Sequence, residues 1–202
     1  MMFAATLRSK FAGFRRNEEG SVTIEALIMI PILVWSFMAG LTYFDAYRAE
    51  YLNTKAALTI ADMYSREPND ITPAYLNGTR ELLKYMTRGD DTPGFRVTQV
   101  RWQASRNRHR VVWSRNRSSR GNIKNSTVHK ITPHLPNMAD GERMLIIETW
   151  LDYEPTFKSG FNNAAGAELD KQEFSSFVTM SPRFAAHICW NSSPGDVTKQ
   201  KC

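Results

Sequence analysis

Gly20-Ser21-Val22-Thr23-Ile24-Glu25-Ala26-Leu27-Ile28-Met29-Ile30-Pro31-Ile32-Leu33-Val34-Trp35-Ser36-Phe37-Met38-Ala39-Gly40-Leu41-Thr42-Tyr43-Phe44 is the stretch that decides how the rest of the chain is read. Its last nineteen residues, 26–44, carry no charge. As a helix rising about 1.5 Å per residue, that run approaches the roughly 30 Å of a bilayer's hydrocarbon core. Leu27, Ile28, Ile30, Leu33, Val34, Phe37 and Leu41 fall on every side of such a helix, as lipid requires and as a half-buried amphipathic helix would not show. Pro31 lies inside the span and is expected to kink the helix without ending it.

The flanks predict an orientation. Arg8, Lys10, Arg15 and Arg16 precede the span at the distance over which basic residues hold a flank in the cytoplasm, and Glu18 and Glu19 count little against them. Residues 1–20 then form a cytoplasmic leader, and the bulk of the chain lies outside. The competing reading is a cleaved secretory signal. Against it, the apolar run exceeds the roughly 7–15 residues usual for such signals, and no Ala-x-Ala exit follows Gly40. A retained anchor is the preferred reading. Glu25, at the mouth of the span, is a charge that lipid disfavours. Either it reaches back to the headgroups, or it has a partner.

Beyond the span, residues 45–67 are rich in helix formers and contain neither Gly nor Pro, so the helix is expected to continue to Pro68. Tyr47, Tyr51, Leu58, Ala61 and Tyr64 recur at approximately helical spacing and predict an apolar stripe, with Arg48, Glu50, Lys55 and Asp62 on the wet side. The stripe would pack on the chain's own carboxy-terminal domain, on another subunit, or on both. The whole helix, residues 21–67, far exceeds the globular average.

Residues 68–202 read as one extracytoplasmic α+β domain. A short helix is expected within 71–91, ended by Gly89-Asp90-Asp91. Strands are expected at 95–102, 110–114, 144–153 and 174–180, with a fifth at 184–190 and a hairpin turn at 105–108. The fold class is therefore α+β, a long amino-terminal transmembrane helix running into a periplasmic domain built on an antiparallel sheet.

The string from Gly20 to Pro31 resembles the amino-terminal signature of TadE-like proteins, the pseudopilins of the tight adherence (Flp-type) pilus machinery. In that family a Gly, an acidic residue five positions on and an early proline recur. Weaker support comes from Glu148-Thr149-Trp150-Leu151-Asp152-Tyr153-Glu154-Pro155, similar to the family's strand ending in an aromatic residue and a proline. The resemblance implies cleavage between Gly20 and Ser21 by a prepilin peptidase. It also implies a role for Glu25 in setting register between subunits by pairing with a neighbour's free α-amino group. The implied partners are the inner membrane, the peptidase and other pilus assembly subunits and pseudopilins. Ala26 departs from the aromatic residue that often follows this Glu, which argues against a major pilin.

Cys189 and Cys202 are the chain's two cysteines, and an oxidising compartment would permit a bridge between them. Residues 92–139 contain no acidic side chain while Arg96, Arg101, Arg106, Arg108, Arg110, Arg115, Arg117, Arg120, Lys124 and Lys130 accumulate there. That run reads first as a solvated strand face and loop, Arg outward and Trp inward. Its second reading is an anion contact carried by Arg106, Arg108, Arg110, Arg115, Arg117 and Arg120, which would make the chain a membrane-tethered module holding an anionic ligand. Polysaccharide, lipid headgroup and extracellular DNA are the ligands considered for it, and a nucleic-acid partner is not the expected one. No nucleophile motif, phosphate-binding loop or metal-ligand spacing is present, and His109, His129, His134 and His187 read as surface or packing residues. The chain is accordingly not expected to be an enzyme or to carry a metal or cofactor.

Overall fold

The computed structural model describes residues 21–88, 93–155, 157 and 171–202. The leader 1–20, the expected stop at Gly89-Asp90-Asp91 and residues 156 and 158–170 lie outside these residues. A single helix, α1, runs over Ser21–Ser65 and passes through Pro31 unbroken. The chain divides into two compact units, Met1–Phe44 and Asp45–Cys202.

In the first unit the helix buries almost nothing. Val22, Leu27, Leu33, Phe37 and Phe44 are all more than 60 % exposed, and Thr42 donates its hydroxyl back to Met38 O at 3.0 Å. Among the described residues this is the one helix long and apolar enough to cross a membrane.

In the second unit the same helix turns a different set of residues inward. Ala56, Ala57, Ile60, Ala61 and Tyr64 have no exposed surface, whereas Tyr47, Tyr51 and Leu58 are 67 %, 64 % and 50 % exposed. The stripe expected from spacing thus holds at Ala61 and Tyr64 and is corrected at the other three positions. Ala56, Ile60, Ala61 and Tyr64 pack in one buried cluster with Phe95, Val97, Leu145 and Ile147 of the sheet. Asn53 lies on the buried face too, its amide donating to Phe174 O and Ser176 Oγ at 3.2 and 3.3 Å.

Helix α2 covers Pro73–Thr87. Thr72 caps it by accepting from Tyr75 N–H, Pro73 supplies a preset first-turn φ, and Arg88 closes it in the left-handed conformation. Ile71, assigned to this helix from sequence, instead pairs with the tail: its N–H donates to Cys189 O, and Asn191 N–H donates to Ile71 O. The Tyr64 phenol meets Thr79 Oγ1 at 3.1 Å and stands edge-on to Tyr75 at 5.1 Å, which locks α1 to α2.

Four strands, β1 (Gly94–Gln103), β2 (Arg108–Asn116), β3 (Arg143–Tyr153) and β4 (Gln172–Met180), form an antiparallel sheet in the order β2-β1-β3-β4. The α+β architecture is the one the sequence predicts. Phe95, Val97, Trp113, Leu145 and Ile147 point to the face covered by α1 and α2. Val100, Met144 and Ile146 point to the other, where Val128 and Ile131 of the long β2–β3 connection close over them. The sheet is therefore covered on both faces, and the expectation of an outward arginine face is corrected at Arg96, which is only 8 % exposed.

The expected fifth strand at 184–190 does not form. Only β5 (Trp190–Asn191) is extended and paired, with β6 (Gln200–Lys201). A strand needs an edge to pair with, and this segment reaches one only at its end. Phe184 is 71 % exposed. A disulfide joins Cys189 to Cys202 directly beside this small ladder.

Candidate functional site

The basic run does not stay together in space. Arg96 sits inside the domain, its Nε and Nη2 donating to the two Glu148 oxygens at 2.6 Å and its Nη1 to Gly121 O at 3.0 Å. Two guanidiniums stand over the Trp150 ring, Arg96 at 5.0 Å and Arg120 at 4.8 Å from its centroid. Arg120 also pairs with Glu173. Arg117 donates to Asn77 Oδ1 at 2.7 Å, and Arg115 lies over the Trp190 ring at 4.5 Å, where burial lowers its pKa. Arg115, Arg117 and Arg120 thus tie strands, helix and tail together.

Arg106, Arg108 and Arg110 behave differently. They lie at the β1–β2 hairpin end, all exposed, and among the described residues none of them has an ion pair. The hairpin is closed by a 3₁₀ turn at Ala104–Arg106 and by Asn107 at φ 46°, a left-handed conformation that Asn tolerates better than most residues. All three border a cavity of about 950 Å³ formed by the hairpin end and residues 125–138 of the β2–β3 connection.

Two further side chains line that cavity: Trp102, which the sequence interleaves with the basic run, and His109, which reads there as a surface or packing residue. Trp102 and His109 are direct cross-strand partners, with ring centroids 4.6 Å apart. His109 is 8 % exposed, and its Nδ1 has no partner among the described residues. Burial holds its pKa below the ordinary imidazole value, so the ring is neutral at pH 7. The signal was present in outline, since Trp102 and His109 flank the predicted turn on either side. Asn125 completes the wall; its Oδ1 accepts from Val111 N–H at 2.8 Å, which leaves its amide hydrogens to point elsewhere.

On the opposite face of the same strand ends, Arg110, Arg101 and Arg143 stand in register across β2, β1 and β3. Directly opposed like charges destabilise a sheet. Burial and the neighbouring Arg101 together lower the Arg143 pKa, and Arg143 Nη1 donates to Cys202 O at 2.7 Å. This end of the sheet is a concentration of positive charge.

The remaining sites expected from sequence lie elsewhere. Gly20 is outside the described residues; Ser21 opens α1, and Glu25 is exposed one turn on. His187, Cys189 and Cys202 bring three potential ligand atoms within 4.8 Å of one another, but both sulfurs are spent in the disulfide. Comparison with protein-family models, with curated proteins and with solved structures finds no match for this chain.

Proposed function

We propose that the chain is a minor pseudopilin or pilus assembly protein of a Tad/Flp-type machine, anchored in the inner membrane by α1 and cut by a prepilin peptidase between Gly20 and Ser21. The observation that carries this reading is the string from Gly20 to Pro31 at the head of an unbroken helix, Ser21–Ser65, long enough to cross a bilayer and still reach into a folded domain. The leader stays cytoplasmic and the domain faces the periplasm, in keeping with Arg8, Lys10, Arg15 and Arg16 before the span and with a disulfide in the domain. Tyr47, Tyr51 and Leu58, exposed along one stretch of α1, supply the apolar contact that assembly with other subunits requires. The role is structural rather than enzymatic.

The test is a comparison of wild type with a peptidase-resistant replacement of Gly20, each expressed with and without a prepilin peptidase. Wild type should lose its leader only when the peptidase is present, and mass spectrometry should find Ser21 at the new amino-terminus. Equal mobility in every lane refutes processing.

A second reading, a membrane-tethered module that holds an anionic ligand, is favoured by one observation: Arg106, Arg108 and Arg110 border a cavity and are not neutralised by acidic groups among the described residues. It is compatible with the first.

A further inference from the structure

We propose that His187, Cys189 and Cys202 form a redox-gated zinc site: oxidised, the two cysteines are joined as a disulfide, and reduced, their thiolates bind Zn²⁺ together with the His187 imidazole. The three donor atoms lie within 4.8 Å of one another, His187 and Cys189 just before β5 and Cys202 just after β6.

The two cysteines are held in place by contacts that do not depend on the disulfide. Ile71 N–H donates to Cys189 O at 2.8 Å, and the Trp113 indole donates to Ile188 O at 2.8 Å. Cys202 is brought back by the ladder, in which Trp190 faces Lys201 and Asn191 faces Gln200. Gln200 Nε2 donates to both Asp70 oxygens at 2.8 and 2.9 Å, and Arg143 Nη1 donates to Cys202 O at 2.7 Å. Breaking the sulfur–sulfur bond therefore leaves the donors near one another, and a metal does not have to close the loop by itself. Around tetrahedral zinc, sulfur at about 2.3 Å and nitrogen at about 2.0 Å from the metal stand roughly 3.5–3.8 Å apart. That spacing fits inside the 4.8 Å that already contains all three donors. Two thiolates and an imidazole, with no carboxylate in the cluster, select zinc over magnesium or calcium, and the fourth position is open to water. Cys189 is buried and Cys202 exposed, so the thiolate of a dithiol reductant attacks the Cys202 sulfur and releases the Cys189 thiolate. The reductant's second thiol then displaces Cys202, leaving the reductant as a disulfide and the chain with two thiols, whose protons leave as zinc binds.

The experiment titrates the full chain, in non-ionic detergent micelles and without oxygen, first with Co²⁺ and then with Zn²⁺. Oxidised protein is compared with protein reduced by a dithiol that is then removed. Cobalt reports thiolate ligands through a near-ultraviolet charge-transfer band and tetrahedral geometry through visible bands. The oxidised chain should show neither. The reduced chain should show both, saturating at one metal per chain, and zinc should bleach them. His187→Ala, at an exposed position, should weaken zinc binding at least about tenfold, since losing even a group that only orients a ligand costs about 10–100-fold. Oxidised H187A should keep the wild-type unfolding midpoint, so that its lost affinity reads ligation and not the fold. A reduced chain without the thiolate band, one metal shared by two chains, or H187A binding zinc as tightly as wild type overturns the assignment.

Discussion

Replacing Glu148 by Gln should unfold this domain more readily than any other single polar change in its interior. Arg96 and Glu148 face each other across β1 and β3 with side chains 9 % and 10 % exposed, joined by two hydrogen bonds of 2.6 Å. Gln keeps the size of Glu but removes the charge and turns an amide donor toward a guanidinium that has only donors. Removing one partner of a buried pair costs about 3–5 kcal/mol, because the other charge stays buried without compensation. Arg96 keeps its bond to Gly121 O and its place over Trp150, which puts E148Q at the lower end, about 3 kcal/mol. At about 2–4 °C per kcal/mol for a domain of this size, the midpoint should fall by roughly 6–12 °C. The assay is thermal unfolding of the full chain in detergent, followed by tryptophan fluorescence. The double variant R96M/E148L, which removes both charges and fills the space, should regain most of the loss. A shift below about 2 °C in E148Q, or a double variant as unstable as the single one, would refute the reasoning and assign the stability of this region to packing around Trp150.

Tyrosine ionisation should set the alkaline limit of the fold. Burial raises the Tyr64 phenol well above its ordinary value of 10.0, and burial, followed by Glu67, pushes Tyr75 up to about 12. Both are neutral in the folded chain, so their contribution is intact below the unfolded value and is lost as pH climbs through the folded ones. The urea midpoint should therefore fall from about pH 10 upward, together with tyrosinate absorbance, and less steeply in Tyr64→Phe. A midpoint flat from about pH 10 to 12 contradicts this. Two glycine substitutions should move stability in opposite directions. A Cβ on Gly78, inside α2, meets nothing within 4 Å, so Gly78→Ala should stabilise by about 0.5–1 kcal/mol in urea unfolding. A Cβ on Gly94 comes within 3.1 Å of Ser118 Cβ and 3.3 Å of the Trp150 ring, so Gly94→Ala should destabilise by about 1–3 kcal/mol. Equal effects at the two positions would mean that Trp150 has room to move.

Residues 144–153 and 174–180 read as strands because they combine β-branched or aromatic residues with turn-forming flanks, and each lies within the strand that forms, Arg143–Tyr153 and Gln172–Met180. The segment 184–190 has similar composition, yet it lacks an edge to pair with until Trp190. On α1 the bulky apolar residues point the stripe toward Tyr47 and Tyr51, while the buried face includes Ala56, Ala57 and Ala61 beside Ile60 and Tyr64, and the weak hydropathy of alanine hides its burial. At the candidate site the arginines were legible as composition. Which of them are neutralised was not, because Arg120 meets Glu173 and Arg96 meets Glu148 across 53 and 52 positions of sequence.

By itself the sequence determined an uncharged helical run long enough for a bilayer, its continuation toward Pro68, an antiparallel α+β domain beyond it, and a stretch of 48 residues, 92–139, without acid. These are properties of neighbouring residues and survive without a fold. The tertiary structure decided that the second face of the sheet is covered, that Arg96 is interior, and that Arg106, Arg108 and Arg110, with no ion pair among the described residues, border one cavity with Trp102 and His109. Burial and charge compensation are relations between distant residues, and they acquire an energy only once the chain has brought those residues together.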